Sequence, residues 1–425
     1  MSTTAAPSRA ADLSAIVGGE NVAEAPATMA HFSIDGVTPS MVVTPGSVEE
    51  IASILRYAYE RDLVVVPAGG FTHQEPGRVP HQIDIVLRLE RLNSIEHYDP
   101  GDLTIGVGAG TTIGEIEGML RDQGQMLPLD IAHIDRVTLG GAMAVAASGP
   151  LKHFYGGLRE FCLGVRYITA DGKIAKAGAR VVKNVAGFDV MKLLIGSYGT
   201  LAVITSASFK LFPLPAATRT FVCEFSSLQE AMACRDAIVD SPLSPICLEV
   251  LSPRAYNLNA WTVAVRAGGS ERVLNRYAAE IGSRASKTLT DFEEQKFWNS
   301  VQILGQDSPV VMRVSVPPSI AGQVLADAQH IANENRLGLT AWGRVGISSL
   351  LVAFDGGMAE SYVTAVDSLR RTLPRDASAV VSRCPSTLKN SIDVWGASPS
   401  DAGTMKAIKH ALDPKDILNR GRFLF

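Results

Sequence analysis

The sequence of 425 residues lacks any apolar run of the length that a membrane-spanning helix requires. Its first residues, MSTTAAPSRAADLSAIVGGE, contain one arginine and no continuous apolar block, which is unlike a secretory signal. We therefore expect a cytoplasmic chain with no membrane span of its own, which would reach the inner membrane only through partners. The alanine-rich residues 1–37 are expected to form a loosely held lead-in.

Cys-x-x-Cys pairs are also absent, although the chain has five cysteines. These are scattered along the sequence: Cys162, Cys223, Cys234, Cys247 and Cys384. An odd and dispersed set indicates buried thiols in a reducing compartment rather than a disulfide framework. The spacing excludes an iron–sulfur cluster or a structural zinc ion held by this chain alone.

Close pairs of histidines are missing as well. The eight histidines stand at positions 31, 73, 81, 97, 133, 153, 330 and 410, and no two have metal-ligand spacing. We therefore expect no metal site.

The chain has no excess of positive charge. Lysine and arginine number 39 against 43 acidic residues, a net charge of −4, and no basic stripe is present. This excludes the electrostatic footprint of a nucleic-acid-binding protein. With 46% hydrophobic and 19% charged residues, the chain is globular, and its length predicts two or three domains.

The N-terminal half alternates strand, helix and strand patterns before a glycine-rich loop. Residues 41–44 predict a strand, Ser47 and Glu50 form a capping-box pattern before a helix, and residues 63–66 predict a buried strand. The loop that follows is either a phosphate cradle of backbone N–H groups or a tight turn. It comprises Pro67, Ala68, Gly69, Gly70, Phe71 and Thr72.

A second glycine pattern resembles a Rossmann motif but has the wrong spacing. Residues 108–114 read G-A-G-T-T-I-G, with one residue too many before the last glycine. Asp130 falls near the place of a ribose-binding acid, yet it follows Pro128 and Leu129 in a predicted loop. We therefore do not assign nicotinamide binding to this stretch.

The stretch from Val137 to Pro150, VTLGGAMAVAASGP, has three glycines, four alanines and no charge. Such small residues bury little area each, but they let a backbone come close to a flat or phosphorylated ligand. Packing between two elements is the alternative interpretation of this run alone.

The prolines at 213 and 215 end the first half of the chain. Beyond them, strand patterns alternate with helix patterns such as residues 227–239 and 271–281. This texture predicts an α+β domain in which helices cover an antiparallel sheet.

Six sequence runs, taken in order, resemble one flavoprotein superfamily. They are residues 67–72, TLGG at 138–141, SGP at 148–150, KNVAGFD at 183–189, GSYGTLAVIT at 196–205 and LDPKDILN at 412–419. The superfamily is that of vanillyl-alcohol oxidase and p-cresol methylhydroxylase (PCMH). Within it, the KNVAGFD run and the chain length are most similar to the FAD-binding subunits of bacterial glycolate oxidases.

The resemblance implies an α+β fold with a PCMH-type FAD-binding domain at 38–215, built from subdomains at about 38–100 and 101–215. A cap domain at 216–395 would cover the isoalloxazine ring, and residues 396–425 would return to the FAD domain. The cap has a single histidine, His330, whereas metal-using relatives place a histidine pair and an acid on the cap sheet.

The resemblance also implies the cofactor contacts. The loop at 67–72 would hold the pyrophosphate of FAD. The other residues implied at the cofactor are Thr138, Gly140, Gly141, Val145, Ala147, Ser148, Gly149, Val203, Ile204 and Asn419.

The chain departs from the family pattern at three positions. Covalent relatives place a flavin-linked histidine where this chain has Phe71, so we expect noncovalent FAD, with His73 a loop or ribose neighbour. Glu160 stands where aspartate is commoner, and Arg420 replaces the usual proline after Asn419.

Oxidation of a 2-hydroxy acid needs a group for the carboxylate and a base for the hydroxyl proton. Arg313, in a family-like MRVSVPP run, and Arg383 are candidates for the carboxylate, because arginine offers a bidentate fork. Either arginine could instead pair with a surface acid. Lys183 lies either near the flavin or in solvent, and no residue is identified as the base.

These observations favour the FAD-binding subunit of a glycolate oxidase or dehydrogenase complex. Its partners would be a second FAD subunit, which would do the chemistry, and an iron–sulfur subunit, which would take the electrons, and the substrate would be a small 2-hydroxy acid. A stand-alone FAD-dependent 2-hydroxy acid dehydrogenase, acting on a substrate like D-lactate, is one alternative. A structural subunit with non-catalytic FAD is the other.

Overall fold

A computed structural model of the protein describes residues 9–179, 187–347 and 349–424. The predicted α+β class is confirmed, because helices cover largely antiparallel sheets in this structure. Predicted strands and helices are shifted by one or two residues at many ends. The strand expected at 63–66, for example, is Val65–Ala68.

The first unit is a small sheet in the order β1-β2-β4-β3, in which β2, β4 and β3 run parallel. Its elements are α1 (Arg9–Val17), β1 (Val22–Ala23), α2 (Pro26–His31), β2 (Met41–Val43), α3 (Val48–Glu60), β3 (Val65–Ala68) and β4 (Ile85–Arg88). The capping pattern predicted at Ser47 is present, because its side chain accepts a hydrogen bond from the Glu50 N–H. The apolar face of α3, including Ile51 and Leu55, is fully buried in this unit.

The expectation of a loosely held lead-in is wrong for the part of residues 1–37 that the structure describes. In α1, Leu13 is fully buried and Val17 nearly so, because residues four apart share one helix face. Val22 of β1 pairs with Val43 of β2, so the segment completes the first sheet. The abundance of alanine concealed an apolar stripe that belongs to the core.

The second unit is an antiparallel sheet in the order β5-β6-β10-β8-β9. Its strands are β5 (Ile95–Asp99), β6 (Thr104–Gly108), β7 (Gln125–Met126), β8 (Cys162–Ile168), β9 (Ile174–Gly178), β10 (Val203–Lys210) and β11 (Phe212–Pro213), of which β7 and β11 pair separately. Its helices are α4 (Ile113–Arg121), α5 (Leu139–Ala144), α6 (Lys152–Tyr155), α7 (Leu158–Phe161) and α8 (Val190–Leu194). The boundary expected at about residue 100 is too late, because β5 already pairs with β6.

The third unit, which we call the cap, is an antiparallel sheet in the order β15-β12-β14-β13-β17-β18-β16-β19. Its strands are β12 (Ala217–Phe225), β13 (Cys247–Leu251), β14 (Trp261–Gly269), β15 (Lys287–Leu289), β16 (Val310–Ser315), β17 (Gly338–Arg344), β18 (Ser349–Asp355) and β19 (Ser378–Arg383). Its helices are α9 (Leu228–Val239), α10 (Glu271–Ile281), α11 (Asp291–Gln302), α12 (Ala321–Glu334) and α13 (Ala359–Thr372).

The two faces of the cap sheet have different partners. Helices α9, α10, α12 and α13 share one apolar core with one face. The other face packs on α11 and looks toward the second unit, with Leu151 and Tyr155 against it. Side chains alternate between these faces along each strand. Every second side chain along a cap strand therefore lies on the face that is turned toward the second unit.

The C-terminal segment returns to the first sheet after α14 (Ala402–Leu412). The Val65 N–H donates to the Ile417 carbonyl at 2.8 Å, and the Asn419 N–H donates to the Val65 carbonyl at 3.0 Å. Buried Lys409 donates to the Asp413 carboxylate at 2.6 Å and to the Thr200 carbonyl at 2.8 Å. The tail is thereby fixed beside the strand that leads into the glycine-rich loop.

Replacement of Leu13 tests whether the N-terminal helix belongs to the folded core. We expect Leu13→Ala to lower the free energy of unfolding by about 2–5 kcal/mol, because it leaves a cavity in a filled apolar core. Denaturant unfolding of the purified protein measures the change. The matched control is Leu193→Ala at a side chain 43% exposed, where the loss should be much smaller. Equal effects of the two substitutions would contradict a core role for α1.

Candidate functional site

Two adjoining cavities lie where the three units meet. The inner cavity is bounded by the loop at 67–76, the start of α5, the turn at 198–199, and the C-terminal residues Asn419 and Arg422. The cap cavity lies between residues 130–133 and 145–150 of the second unit and the cap sheet. Thr72, His73 and Val145 line both cavities, which therefore form one continuous space.

The glycine-rich loop and the start of α5 approach each other as closely as backbones can. A Cβ atom added at Gly69 would overlap the Thr138 hydroxyl, and one added at Gly70 would overlap the Arg136 carbonyl oxygen. The Thr138 hydroxyl itself caps α5 by accepting from the Gly141 N–H at 3.3 Å. Only glycine fits at these two loop positions, and the wall of the inner cavity is therefore backbone.

Polar atoms with no protein partner face the inner cavity. Among the described residues, no acceptor is found for the backbone N–H groups of Gly69, Gly70, Phe71 and Thr72. The Asn419 side chain donates from Nδ2 to the Tyr198 carbonyl at 2.8 Å, yet its buried Oδ1 accepts from no described group. Unpaired N–H groups in succession suit an anion, and a lone amide oxygen suits a hydrogen-bond donor of a ligand.

Most of the predicted cofactor residues meet around this space. The inner cavity is lined by Pro67, Ala68, Gly69, Gly70, Phe71, Thr72, Thr138, Gly140, Gly141, Val145, Ile204 and Asn419. Ala147, Ser148 and Gly149 line the cap cavity instead. Val203 lines neither cavity. Its side chain is fully buried beside Ile417 and Leu418, because alternation along β10 turns the Ile204 side chain, not that of Val203, toward the space.

The three departures from the family pattern each have a local role. Phe71 has a left-handed backbone, with φ of 56°, and packs edge-on against Phe32 with ring centroids 5.1 Å apart. Glu160 caps α7 by accepting from the Gly157 N–H at 2.6 Å. Arg420 joins the tail to Asp62 just after α3 at 2.6 Å. Lys183 and residues 180–186 of the KNVAGFD region lie outside the described residues.

Six charged side chains line the cap cavity, three acidic and three basic: Glu75, Asp130, Glu249, Arg313, Arg344 and Arg383. Glu249 and Arg344 lie side by side because Val250 of β13 stands opposite Gly343 of β17. Their atoms Oε1 and Nε are 3.6 Å apart, and Arg344 also donates to the Ser148 carbonyl at 2.9 Å. Arg344 thereby connects the cap to the small-residue stretch.

The two arginines predicted to bind a carboxylate differ in their partners. Arg383 is occupied, because it donates to Glu75 at 2.8 Å, to the Gly305 carbonyl at 3.1 Å and to the Gln306 carbonyl. Arg313 has no hydrogen-bond or ion-pair partner anywhere in residues 9–179, 187–347 and 349–424, although its residue is only partly exposed. Of the two, Arg313 is the one with a guanidinium group available to a ligand.

Burial changes the acid–base properties of this cavity. It raises the pKa of Glu249 to about 8 in spite of the neighbouring Arg344. It likewise raises the pKa of Asp130 to about 7, although the Leu151 N–H and Arg344 oppose that shift. Burial lowers the pKa of His73, whose Nδ1 is 3.0 Å from the Thr72 hydroxyl oxygen. Carboxyl groups that titrate near neutral pH are therefore present in the cleft.

Sequence reasoning missed several residues of this site. Glu249 and Arg344 each stand at an alternate position of an otherwise buried strand, in CLEVL and AWGR, and that pattern was the available signal. Arg422 is buried and donates to the Gln74 and Pro76 carbonyls at 2.5 and 2.6 Å, fixing the loop after Thr72. Burial lowers the pKa of Arg422 to about 10. No local signal in the sequence pairs a C-terminal arginine with a loop 346 residues away.

Comparison with known proteins agrees with this geometry. Residues 39–178 match the model of the FAD binding domain, and residues 395–423 match that of the C-terminal domain of FAD linked oxidases. The glycolate oxidase subunit GlcE of Escherichia coli (strain K12) is 33% identical over 286 residues, which cover 62% of this chain and 76% of that protein.

Two further similarities extend over nearly the whole chain. D-2-hydroxyglutarate dehydrogenase of Xanthomonas citri pv. viticola is 26% identical over 445 residues, or 93% of both chains. The crystal structure of p-cresol methylhydroxylase with substrate bound has the same fold, with a TM-score of 0.73 at 16% identity over 97% of this chain and 95% of that one.

The chain belongs to the FAD-linked oxidases. It is an FAD-dependent oxidoreductase, and its relatives place it in the FAD-dependent 2-hydroxy acid dehydrogenase family. No group of three or more metal-ligating side chains occurs among the residues that the structure describes. Nor does any described helix have the length and apolar character needed to cross a membrane.

The raised pKa of Glu249 predicts a pH-dependent stability. Folded protein keeps this carboxyl protonated up to about pH 8, whereas the unfolded chain ionises it near its ordinary value of 4.5. Its contribution to stability is thus complete below the ordinary value and is lost as pH rises through about 8, by about 1.4 kcal/mol for each pH unit. We expect Glu249→Gln to reduce the fall in unfolding free energy between about pH 5 and about pH 8.

Denaturant unfolding of the flavin-free protein at the two pH values measures this effect. Glu293→Gln, at an exposed position of α11, is the matched control and should leave the pH dependence as in the wild type. A Glu249→Gln protein that loses stability with pH as steeply as the wild type would contradict the raised pKa.

Proposed function

We propose that FAD lies along the inner cavity with its pyrophosphate at residues 67–72. The support is the row of backbone N–H groups that have no described acceptor, together with the orphaned Asn419 Oδ1. Donors of this kind match a diphosphate, and an amide oxygen matches an N–H or O–H group of a flavin or ribityl chain. The small residues from Thr138 to Gly149 would then follow the cofactor toward the cap cavity.

The attachment of FAD is proposed to be noncovalent. Phe71 stands where covalent relatives have the linking histidine, and its ring packs on Phe32. A phenyl ring offers no atom for a flavin linkage. His73, two residues later, points its Nδ1 to the Thr72 hydroxyl.

Flavin retention tests this placement. Acid precipitation should release the flavin of the wild-type protein into the supernatant, because no covalent bond holds it. Gly70→Ala should be purified with little flavin, since its Cβ would overlap the Arg136 carbonyl and move the loop. Gly118→Ala is the matched control: it lies in α4 with no atom within 4 Å of the added carbon and should retain flavin. A Gly70→Ala protein with full flavin content would contradict the assignment.

We propose that the substrate is a small 2-hydroxy acid bound in the cap cavity with its carboxylate on Arg313. The single observation that carries this proposal is that Arg313 lacks a partner within the described residues while the other two cavity arginines are paired. An unpaired guanidinium in a partly dry cavity binds a carboxylate strongly, with two parallel hydrogen bonds. Bound FAD supplies the acceptor for the hydride that leaves the hydroxyl-bearing carbon.

The preferred substrate is proposed to be glycolate, oxidised to glyoxylate, within a complex that also contains a second FAD subunit and an iron–sulfur subunit. Its support is the 33% identity with a protein named as a glycolate oxidase subunit. The absence of Cys-x-x-Cys pairs agrees with an iron–sulfur centre on another chain. Electrons would then pass from the flavin of this complex to that subunit.

A stand-alone 2-hydroxy acid dehydrogenase is the second candidate. It is favoured by the similarity to D-2-hydroxyglutarate dehydrogenase, which extends over 93% of both chains, because that protein is not named as a subunit of a complex. One assay separates the two: glycolate or D-lactate with a dye acceptor, first with this chain alone and then with co-expressed partners. Turnover by the isolated chain as fast as with its co-expressed partners would contradict the subunit proposal, and failure to bind FAD would contradict both.

Substitution of Arg313 tests the site itself. We expect Arg313→Ala to weaken binding of oxalate, used as a carboxylate probe, by about 10- to 100-fold, because a charge-assisted hydrogen bond is worth about 1.5–3 kcal/mol. Calorimetry with the flavin-loaded protein measures the affinity.

Arg383→Ala should weaken oxalate binding less, since that side chain is occupied by Glu75 and two carbonyl groups. The surface control is Arg276→Ala, whose guanidinium pairs with Glu280 on α10. Oxalate binding that depends on Arg383 more than on Arg313 would overturn the assignment.

A further inference from the structure

Among the described charged residues of the cap cavity, one acid as well as one arginine has no ion-pair partner. Glu75 is paired with Arg383 at 2.8 Å, and Glu249 is beside Arg344 at 3.6 Å. Asp130 has no ion-pair partner in the part of the chain that the structure describes. Among the described residues, Asp130 is therefore the acid of this cavity without an ion-pair partner, as Arg313 is the arginine without one.

The Asp130 carboxylate is fixed at the wall of the cavity. Both of its oxygens accept from one backbone N–H group, that of Leu151, at 3.1 and 2.9 Å. Its side chain lies directly over Gly149, where any Cβ would overlap it. A carboxylate has about four acceptor positions, so one shared N–H leaves lone pairs available to a ligand hydroxyl.

The surroundings of Asp130 bring the pKa of its carboxyl near neutral pH. Burial raises its pKa to about 7, which is the range in which a general base works well at physiological pH. The charged and titratable groups that act on it come from three strands: Arg344 on β17, Arg266 on β14, and Cys247 and Glu249 on β13. Arg313, His73 and His133 line the same cavity.

The other groups in the cavity that could accept a proton are less suitable. Glu249 is only 1% exposed and is held against Arg344. His73 has Nδ1 bonded to Thr72 within the loop that we assign to the pyrophosphate. His133 stands at the exposed rim. Asp130 is partly exposed and lines the same cavity as Arg313.

We propose that Asp130 is the catalytic base that accepts the hydroxyl proton of the 2-hydroxy acid, an inference that rests on the proposed function. The O–H bond breaks and its proton passes to a carboxylate oxygen of Asp130. The electron pair of the O–H bond forms the carbonyl of the 2-oxo acid, and FAD, when bound, would supply the acceptor for the hydride of the adjacent C–H bond. Arg313 holds the carboxylate throughout.

Anaerobic stopped-flow reduction of the FAD-loaded protein, with any partner subunits that co-purify, tests the proposal. The probes are glycolate, D-lactate and D-2-hydroxyglutarate. In the wild type, the ratio of the reduction rate constant to the substrate Kd should rise with pH and level off above about 7. Asp130→Asn should lower the reduction rate constant by about 100-fold or more and abolish that ionisation. Its Kd for the substrate should change little, the opposite of Arg313→Ala.

A binding measurement gives a readout independent of turnover. Oxalate bound beside Asp130 should raise the pKa of that carboxyl, so that binding takes up protons near pH 7. Calorimetry in buffers of different ionisation enthalpy counts these protons. We expect uptake in the wild type and its loss in Asp130→Asn.

Asp84→Asn is the matched control. Asp84 is also a buried aspartate that accepts a backbone N–H, that of Val64 at 2.8 Å, but it lines neither cavity. This variant should keep the reduction rate, its pH dependence and the proton uptake, while losing stability.

Two results would overturn the assignment. One is an Asp130→Asn protein that is reduced as fast as the wild type or takes up as many protons. The other is transfer of the ionisation to a rival, shown by its loss in Glu249→Gln or His73→Asn instead. If none of the three probes reduces the wild-type flavin, the proposed function itself fails, and the assignment of Asp130 falls with it.

Discussion

The burial of charge between the cap and the other units is the constraint on which the site depends. A charged side chain removed from water is costly unless a partner or hydrogen bonds compensate it. Arg344, beside Glu249, and Arg383, beside Glu75, meet that requirement, and each contact also joins parts distant in sequence. Arg344 reaches the Ser148 carbonyl, and Lys389 reaches Asp35 at 2.8 Å. These interactions hold the cap against the other units. Because they involve the other acids and arginines of the cavity, Arg313 and Asp130 have no ion-pair partners among the described residues.

Close backbone approach is the second constraint, and it resolves the two interpretations of the stretch from Val137 to Pro150. Packing explains part of it, because Gly140 lies against Ala109 and Gly149 lies under Asp130. Ligand binding explains another part, because the facing loop keeps N–H groups free of described acceptors. Small residues serve both purposes at once here: they let two backbones meet, and the surface left between them is polar and narrow.

The sequence predicted the α+β class, most of the helices and strands, and the residues that surround the inner cavity. Local signals were sufficient for these, as Ser47 before α3 and the loop at 67–72 show. It failed where an element depends on tertiary contacts. The exposed strand β5 and helix α11 were not predicted, although Phe297 and Trp298 of α11 are buried against the cap sheet. The lead-in was misjudged because its few apolar residues find a core supplied by α3.

The charged residues of the cap cavity show more clearly what sequence patterns alone could not predict. Whether Arg313 or Arg383 is free depends on Glu75 and on the carbonyl groups of Gly305 and Gln306, and no spacing rule connects these positions. From the sequence, Asp130 falls near the place of a ribose-binding acid, but its loop position does not support that role. The structure distinguishes it from Glu75 and Glu249, because each of those acids lies beside an arginine.

The environment of Asp130 favours a catalytic chain over one that is only structural. Burial that raises the pKa of a carboxyl to about 7 works against the folded state, because ionisation is easier in the unfolded chain. A subunit that merely carried FAD could avoid that cost with a neutral side chain such as asparagine, which would also accept from the Leu151 N–H. An acid and an arginine that line one cavity, both without ion-pair partners among the described residues, are instead the groups that oxidation of a 2-hydroxy acid requires. We therefore favour a chain that performs chemistry over one with a purely structural role.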